Sequence, residues 1–259
     1  MNKAHPKLLQ RIFQATYERG YRYLDRAGDV MVVLEEMLTA DTGKLWIPAE
    51  MQPKGATINC PELDATVALD AAKMSVGQYP VDTEIDIGRI GSLVLGTITG
   101  RFDLRTMVRY GYRSIRVLPT DSIADADNLS VKMLPLASWP IDGIDGMKAS
   151  ECTAVAVWET PAGIGYRFQL NPAFAPDSPV TTDERLRTKP RFLPTGQREA
   201  LIAQRHRQQQ REKGPVAGVM LDFDYYWVRP DKFVMKDFLA GADALESRVL
   251  DEVLKRDKR

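Results

Sequence analysis

Two aspartates at alternate positions, Asp222 and Asp224, come closest in type and spacing to a reaction centre. They lie in the stretch 214 to 230, GPVAGVMLDFDYYWVRP, where an apolar run gives way to the two acids and then to four large side chains. On a strand, alternate positions share a face, so both carboxylates project to one side while Phe223 and Tyr225 take the other. Two carboxylates so placed can hold Mg²⁺ or Mn²⁺ through oxygen ligands and leave metal-bound water for phosphodiester chemistry. A third acid, Asp64 or Asp70, would have to come from a neighbouring strand. The same pair on a wet strand face forms ion pairs instead, with Arg105, Arg109, Arg113 and Arg116 as the available cations, and the sequence leaves both readings open.

A basic tract is the second constellation. Arg185, Arg187, Lys189, Arg191, Arg198, Arg205, Arg207, Arg211 and Lys213 face only two acids within the tract, Glu199 and Glu212. The whole chain has 35 basic and 35 acidic side chains, so no global field recruits nucleic acid and any phosphate partner must be held locally, as this tract could hold one. Phe192 is its only aromatic residue, which disfavours stacking on single-stranded bases, and Gln204, Gln208, Gln209 and Gln210 suit a solvated helix or an acidic protein partner equally well.

Other chemistries fare worse. His5 and His206 have no ligand-spaced His or Cys around them, and no GxSxG elbow is present. Neither GxxG pair, 88–91 or 143–146, both follows a strand and opens a helix as dinucleotide binding requires, so no nucleotide or other cofactor is expected, and the histidines offer no metal-ligand cluster. Cys60 and Cys152 sit among apolar neighbours and read as reduced core residues.

The elements that must position these residues follow from periodicity. Leu8, Leu9, Ile12, Phe13 and Tyr17 predict an amphipathic helix over 6–19, and Val30, Val32 and Val33 predict a strand over 30–37. Residues 43–47 and 57–70 read as strands flanking a turn at Pro53 and Gly55, and 82–100 as a glycine-rich helix. A strand over 105–119, a helix from a Thr120–Asp121 cap to Met133 and a hairpin of 151–159 with 163–171 come next. A helix over 197–213, the aspartate strand and a C-terminal helix opened by Asp231 complete the order. The fold class is α+β, with mainly antiparallel sheets, packed helices and a pseudo-repeat of hairpin-helix-strand-helix units over 57–133 and 151–255. Two lobes, 1–135 and 151–259, joined by a linker at 136–150, either stand apart or share one core. With 259 residues and 44% hydrophobic side chains there is enough apolar material for such a core. The absence of a signal-type apolar segment or a spanning run predicts a cytosolic protein without membrane contact.

The VRYGYRSIRVLP strand, together with GVMLDFDYYWVRP and its following helix, resembles a sporadically distributed family of uncharacterised bacterial proteins of similar size. The resemblance implies correspondence at Gly111, Arg113, Asp222 and Asp224, no assigned chemistry, and gene neighbourhoods of mobile or defence type. The leading expectation is a non-catalytic interaction protein that joins a larger bacterial assembly, antiviral in character, with a protein partner. A nucleic-acid-binding module using 185–213 and a metal-dependent phosphodiesterase around Asp222 and Asp224 are the alternatives.

Overall fold

The structure is a computed structural model, and it describes residues 6–79, 81, 85–133, 154–174 and 217–256. Nine strands form one antiparallel sheet in the order β2-β3-β4-β5-β1-β6-β9-β8-β7. They are β1 (Lys7–Tyr17), β2 (Ile47–Gln52), β3 (Gly55–Cys60), β4 (Ala65–Leu69), β5 (Lys73–Gln78), β6 (Met107–Pro119), β7 (Ala154–Glu159), β8 (Ile164–Phe174) and β9 (Ala217–Val228). The α-helices are α1 (Tyr23–Thr42), α2 (Ile87–Phe102), α3 (Ile123–Met133) and α4 (Met235–Arg256). The α+β class with an antiparallel sheet and packed helices is therefore as expected.

The path of the chain explains the order. From β1 it crosses through α1 to one edge, returns as the meander β2 to β5 until β5 pairs with β1, and passes through α2 to β6 on the other side of β1. After α3 it reaches the opposite edge, returns as β7, β8 and β9 until β9 pairs with β6, and ends in α4. The expected hairpin-helix-strand-helix repeat is not confirmed. Its two long strands, β6 and β9, are direct antiparallel neighbours, and the similarity of path is instead between the passes that begin at β1 and β6.

Register separates the two faces. One row across the sheet reads Ile58, Val67, Val76, Phe13, Tyr112, Tyr225, Tyr166, Trp158, and its interior members belong to a single buried core. The helices pack on this face: Phe238 of α4 meets Phe13 edge-on at 6.2 Å and Tyr225 at 5.2 Å, and Tyr23 of α1 meets Phe102 of α2 at 6.0 Å. The glycines of α2 show why so weak a helix former is tolerated. A Cβ at Gly88 would sit 2.5 Å from Leu239 of α4 and one at Gly91 would sit 2.7 Å from Phe13, so the absent side chains let α2 close on both neighbours.

Two elements exchange character relative to the sequence reading. Residues 6–19 are not a helix but hold β1, which is paired on both sides. A central strand places apolar groups on both faces, here Phe13, Ala15 and Tyr17 inward with Ile12 outward, and that mixture imitates a helical stripe. Residues 30–37 are not a strand but lie inside α1, where Val30, Met31, Leu34 and Leu38 are buried at helical spacing and Val32 is exposed. Packing of that stripe overrides the β-preference of its valines. The helix ends at Gly43, which takes φ 64° and donates its N–H to Thr39. Residues 57–70 form two strands, not one, turning near Asp64 at φ 50°, and the expected strand at 43–47 begins only at Ile47.

The remaining elements agree with their patterns, except that α4 opens at Met235 and not at Asp231. Asp86 caps α2 by accepting the Arg89 N–H at 2.8 Å, and Ser122, rather than Thr120 or Asp121, caps α3 by accepting the Asp125 N–H at 3.1 Å. The β7–β8 hairpin turns through Gly163 at φ 76°. On the stripe foreseen for α4, Phe238 and Val253 are buried and Leu245 and Val249 pack against the core, whereas Val234 precedes the helix and is 37% exposed. The linker 136–150 and the helix expected over 197–213 lie outside the described residues.

Candidate functional site

The face opposite the helices is polar. Its middle row reads Glu50, Thr57, Ala68, Ser75, Gln14, Gly111, Tyr226, Gly165, Glu159, and the next reads Asn59, Thr66, Gly77, Ile12, Arg113, Asp224, Arg167, Val157. No described helix lies against it. Asp222 and Asp224 both project here, as their alternation requires, with Arg109 and Arg113 of β6 on one side and Arg167 and Gln169 of β8 on the other.

The ion pairs run along diagonals. Arg113 stands directly opposite Asp224 in register, yet its fork reaches Asp222, with Nε to Oδ1 at 2.8 Å and Nη2 to Oδ2 at 2.6 Å. This bidentate bond fills one lone pair on each carboxylate oxygen and holds the Arg113 guanidinium charged beyond its ordinary range. Flanked in register by Ile115 and Gln169 and capped by Arg113, the Asp222 side chain is only 5% exposed, though no described helix lies on this face. Arg109 reaches Asp224, at 2.8 Å, although the two are four residues out of register. Gly111 makes this possible. A Cβ there would sit 3.2 Å from Arg109 Nη1, so the arginine lies over bare backbone with its guanidinium carbon 4.5 Å from the Tyr226 ring centroid.

A second glycine serves the tyrosine in the same way. Tyr226 lies over Gly165, where a Cβ would come within 2.1 Å of the ring, and its hydroxyl donates to Glu159 on β7. That bond pushes the Tyr226 hydroxyl up to about 12. Arg167 donates to Gln169, Gln169 donates to Asn171, and Arg167 has no carboxylate partner among the described residues.

Of the acids considered as a third ligand, Asp64 and Asp70 flank β4, which β5, β1 and β6 separate from β9, so roughly 14 Å or more of sheet intervenes. Asp70 also accepts the Ala72 and Lys73 N–H groups of its own turn. Among the described residues no group of three His, Cys, Asp or Glu is placed to hold a metal ion. Cys60 is a buried free thiol, its pKa raised by burial. The basic tract (Arg185, Arg187, Lys189, Arg191, Arg198, Arg205, Arg207, Arg211, Lys213), both histidines and Cys152 lie outside the described residues. No described helix is long and apolar enough to cross a membrane.

Sequence reasoning missed Tyr226, Glu159, Arg167 and Gln169. The signal was present in β8, where Gly165, Arg167, Gln169 and Asn171 alternate with Tyr166, Phe168 and Leu170. Also missed was a polar anchor on the helix side, where the buried Glu246 of α4 accepts from Ser114 at 2.7 Å and from Arg116. No family model matches the chain, and no curated protein matches it.

Proposed function

We propose that this chain is a non-catalytic interaction protein, a component of a larger bacterial assembly of defence type, which receives a protein partner on the polar face of its sheet, against which no described helix lies. The observation that carries the reading is that Asp222, Asp224 and Glu159 on this face are already bonded to side chains of neighbouring strands. Arg113 spends its fork on Asp222 and Arg109 donates through Nη2 to Asp224, so a metal at Asp222 and Asp224 would first have to displace two guanidinium groups. A surface so ordered loses little side-chain freedom when a partner docks, and its mixed polarity is typical of protein interfaces. The carboxylates of Asp222, Asp224 and Glu159 balance Arg109, Arg113 and Arg167, so these six side chains offer a phosphate backbone no net positive charge. Among the described residues of this face, Arg167 has no carboxylate partner and is the cation offered to an acidic side chain of the partner.

The test is co-purification from the native host with wild type and Arg167→Gln, which removes the charge without placing a like charge opposite Asp224, both treated with nuclease. The partner is expected to remain with wild type after nuclease and to be lost from the variant, whose thermal midpoint stays the same. Equal recovery with both proteins contradicts the reading, and loss from wild type on nuclease treatment replaces it with a nucleic-acid role.

A further inference from the structure

The two edges of the sheet are built differently. β2 carries Pro48, a register break between Pro48 and Glu50, and the charge of Glu50, all devices that blunt an edge against another strand. β7 has none of them within its ladder. Residues 154–159 pair with β8 without a bulge, contain no proline or lysine, and keep their one charge, Glu159, at the end. Val155 and Val157 on one face and Trp158 on the other are 51, 54 and 52% exposed. No described strand covers the outer side of β7, so its backbone groups there are a template for β-addition.

We propose that β7 pairs antiparallel with β7 of a second copy of this chain, joining two nine-stranded sheets across a two-fold axis. The strand complements itself. A two-fold normal to the sheet keeps every residue on its own face, so residues of like parity must oppose one another. With the axis at Ala156, Val155 of each copy meets Val157 of the other on the polar face, extending it with an apolar contact. The two Glu159 carboxylates then stand about 20 Å apart, six positions at ~3.4 Å each, so no like charges meet. A charged foreign strand would find no opposite charge along 154–158, and a neutral strand of this composition is what the second copy supplies. Five residues of each strand, 154–158, then pair, which falls at the small end of interface size, so the dimer forms in a concentration-dependent way.

Sedimentation of the full chain over a concentration series is the test, with Val157→Lys as the edge variant. Wild type is expected to shift from monomer to dimer as concentration rises, while Val157→Lys stays monomeric with an unchanged melting midpoint. If the lysine lowers that midpoint, hydrogen exchange on wild type decides: amides in 154–159 should exchange more slowly at high than at low concentration. A wild type that is monomeric throughout, a variant that dimerises equally, or β7 exchange that ignores concentration overturns the proposal, and the first outcome does so even if the edge takes a strand from another protein.

Discussion

Replacing Arg113 by methionine lowers the unfolding free energy by about 3 kcal/mol, the low end of the cost of leaving one partner of a buried ion pair alone. The cause is Asp222 more than the arginine. The carboxylate is 5% exposed and both its oxygens accept from Arg113, whose own side chain is 44% exposed. Without the guanidinium, the buried Asp222 carboxylate loses the donors to both its oxygens, which costs stability. Adding Asp222→Leu to Arg113→Met should restore most of the loss, because a pair removed together leaves no orphan charge. Urea unfolding of wild type, both single variants and the double variant provides the measurement, read as a double-mutant cycle. Additive losses in the cycle would show that the bidentate pair contributes nothing as a pair.

Truncating Phe238 to alanine costs more, about 3–5 kcal/mol, as expected for a fully buried aromatic ring. Phe238 is 0% exposed and has four aromatic neighbours, Phe13, Tyr225, Trp227 and Phe233, with ring centroids between 5.2 and 6.2 Å away. It is also the residue by which α4 sits over the junction of β1, β6 and β9, the centre of the sheet. Loss of the ring therefore loosens the helix as well as leaving a cavity. A thermal midpoint within a few degrees of wild type would contradict this packing. Phe238→Leu, which keeps much of the volume, is expected to lose less than half as much.

The legible and illegible parts of the molecule divide on a physical line. β6, β9 and the β7–β8 hairpin could be read because each carries alternation or a turn with glycine at positive φ, which are local features. β1 and α1 were exchanged because their apolar residues satisfy more than one period, and only the neighbours in the finished fold decide between them. The arginines of β6 stood out as candidate partners of the aspartates, but the pairing could not be assigned. It depends on the register of β6 against β9 and on the space left by Gly111, and the bonds run from Arg113 to Asp222 and from Arg109 to Asp224, neither pair directly opposed. Tyr226 over Gly165 was hidden for the same reason, since it depends on which residue of β8 faces it.

The proposed reading assigns the arginine-held Asp222 and Asp224 to a binding surface and not to a metal centre. It is tested most directly by following thermal unfolding of wild type and Asp222→Asn during titration with Mn²⁺. A ligand that binds only the folded state stabilises it by about 2.7 kcal/mol at one hundred times its dissociation constant, a shift that is easily seen. The expected result is that Mn²⁺ leaves both midpoints where they stand without it. A saturable rise in the wild-type midpoint that is absent from Asp222→Asn, each compared with its own metal-free value, would contradict the account.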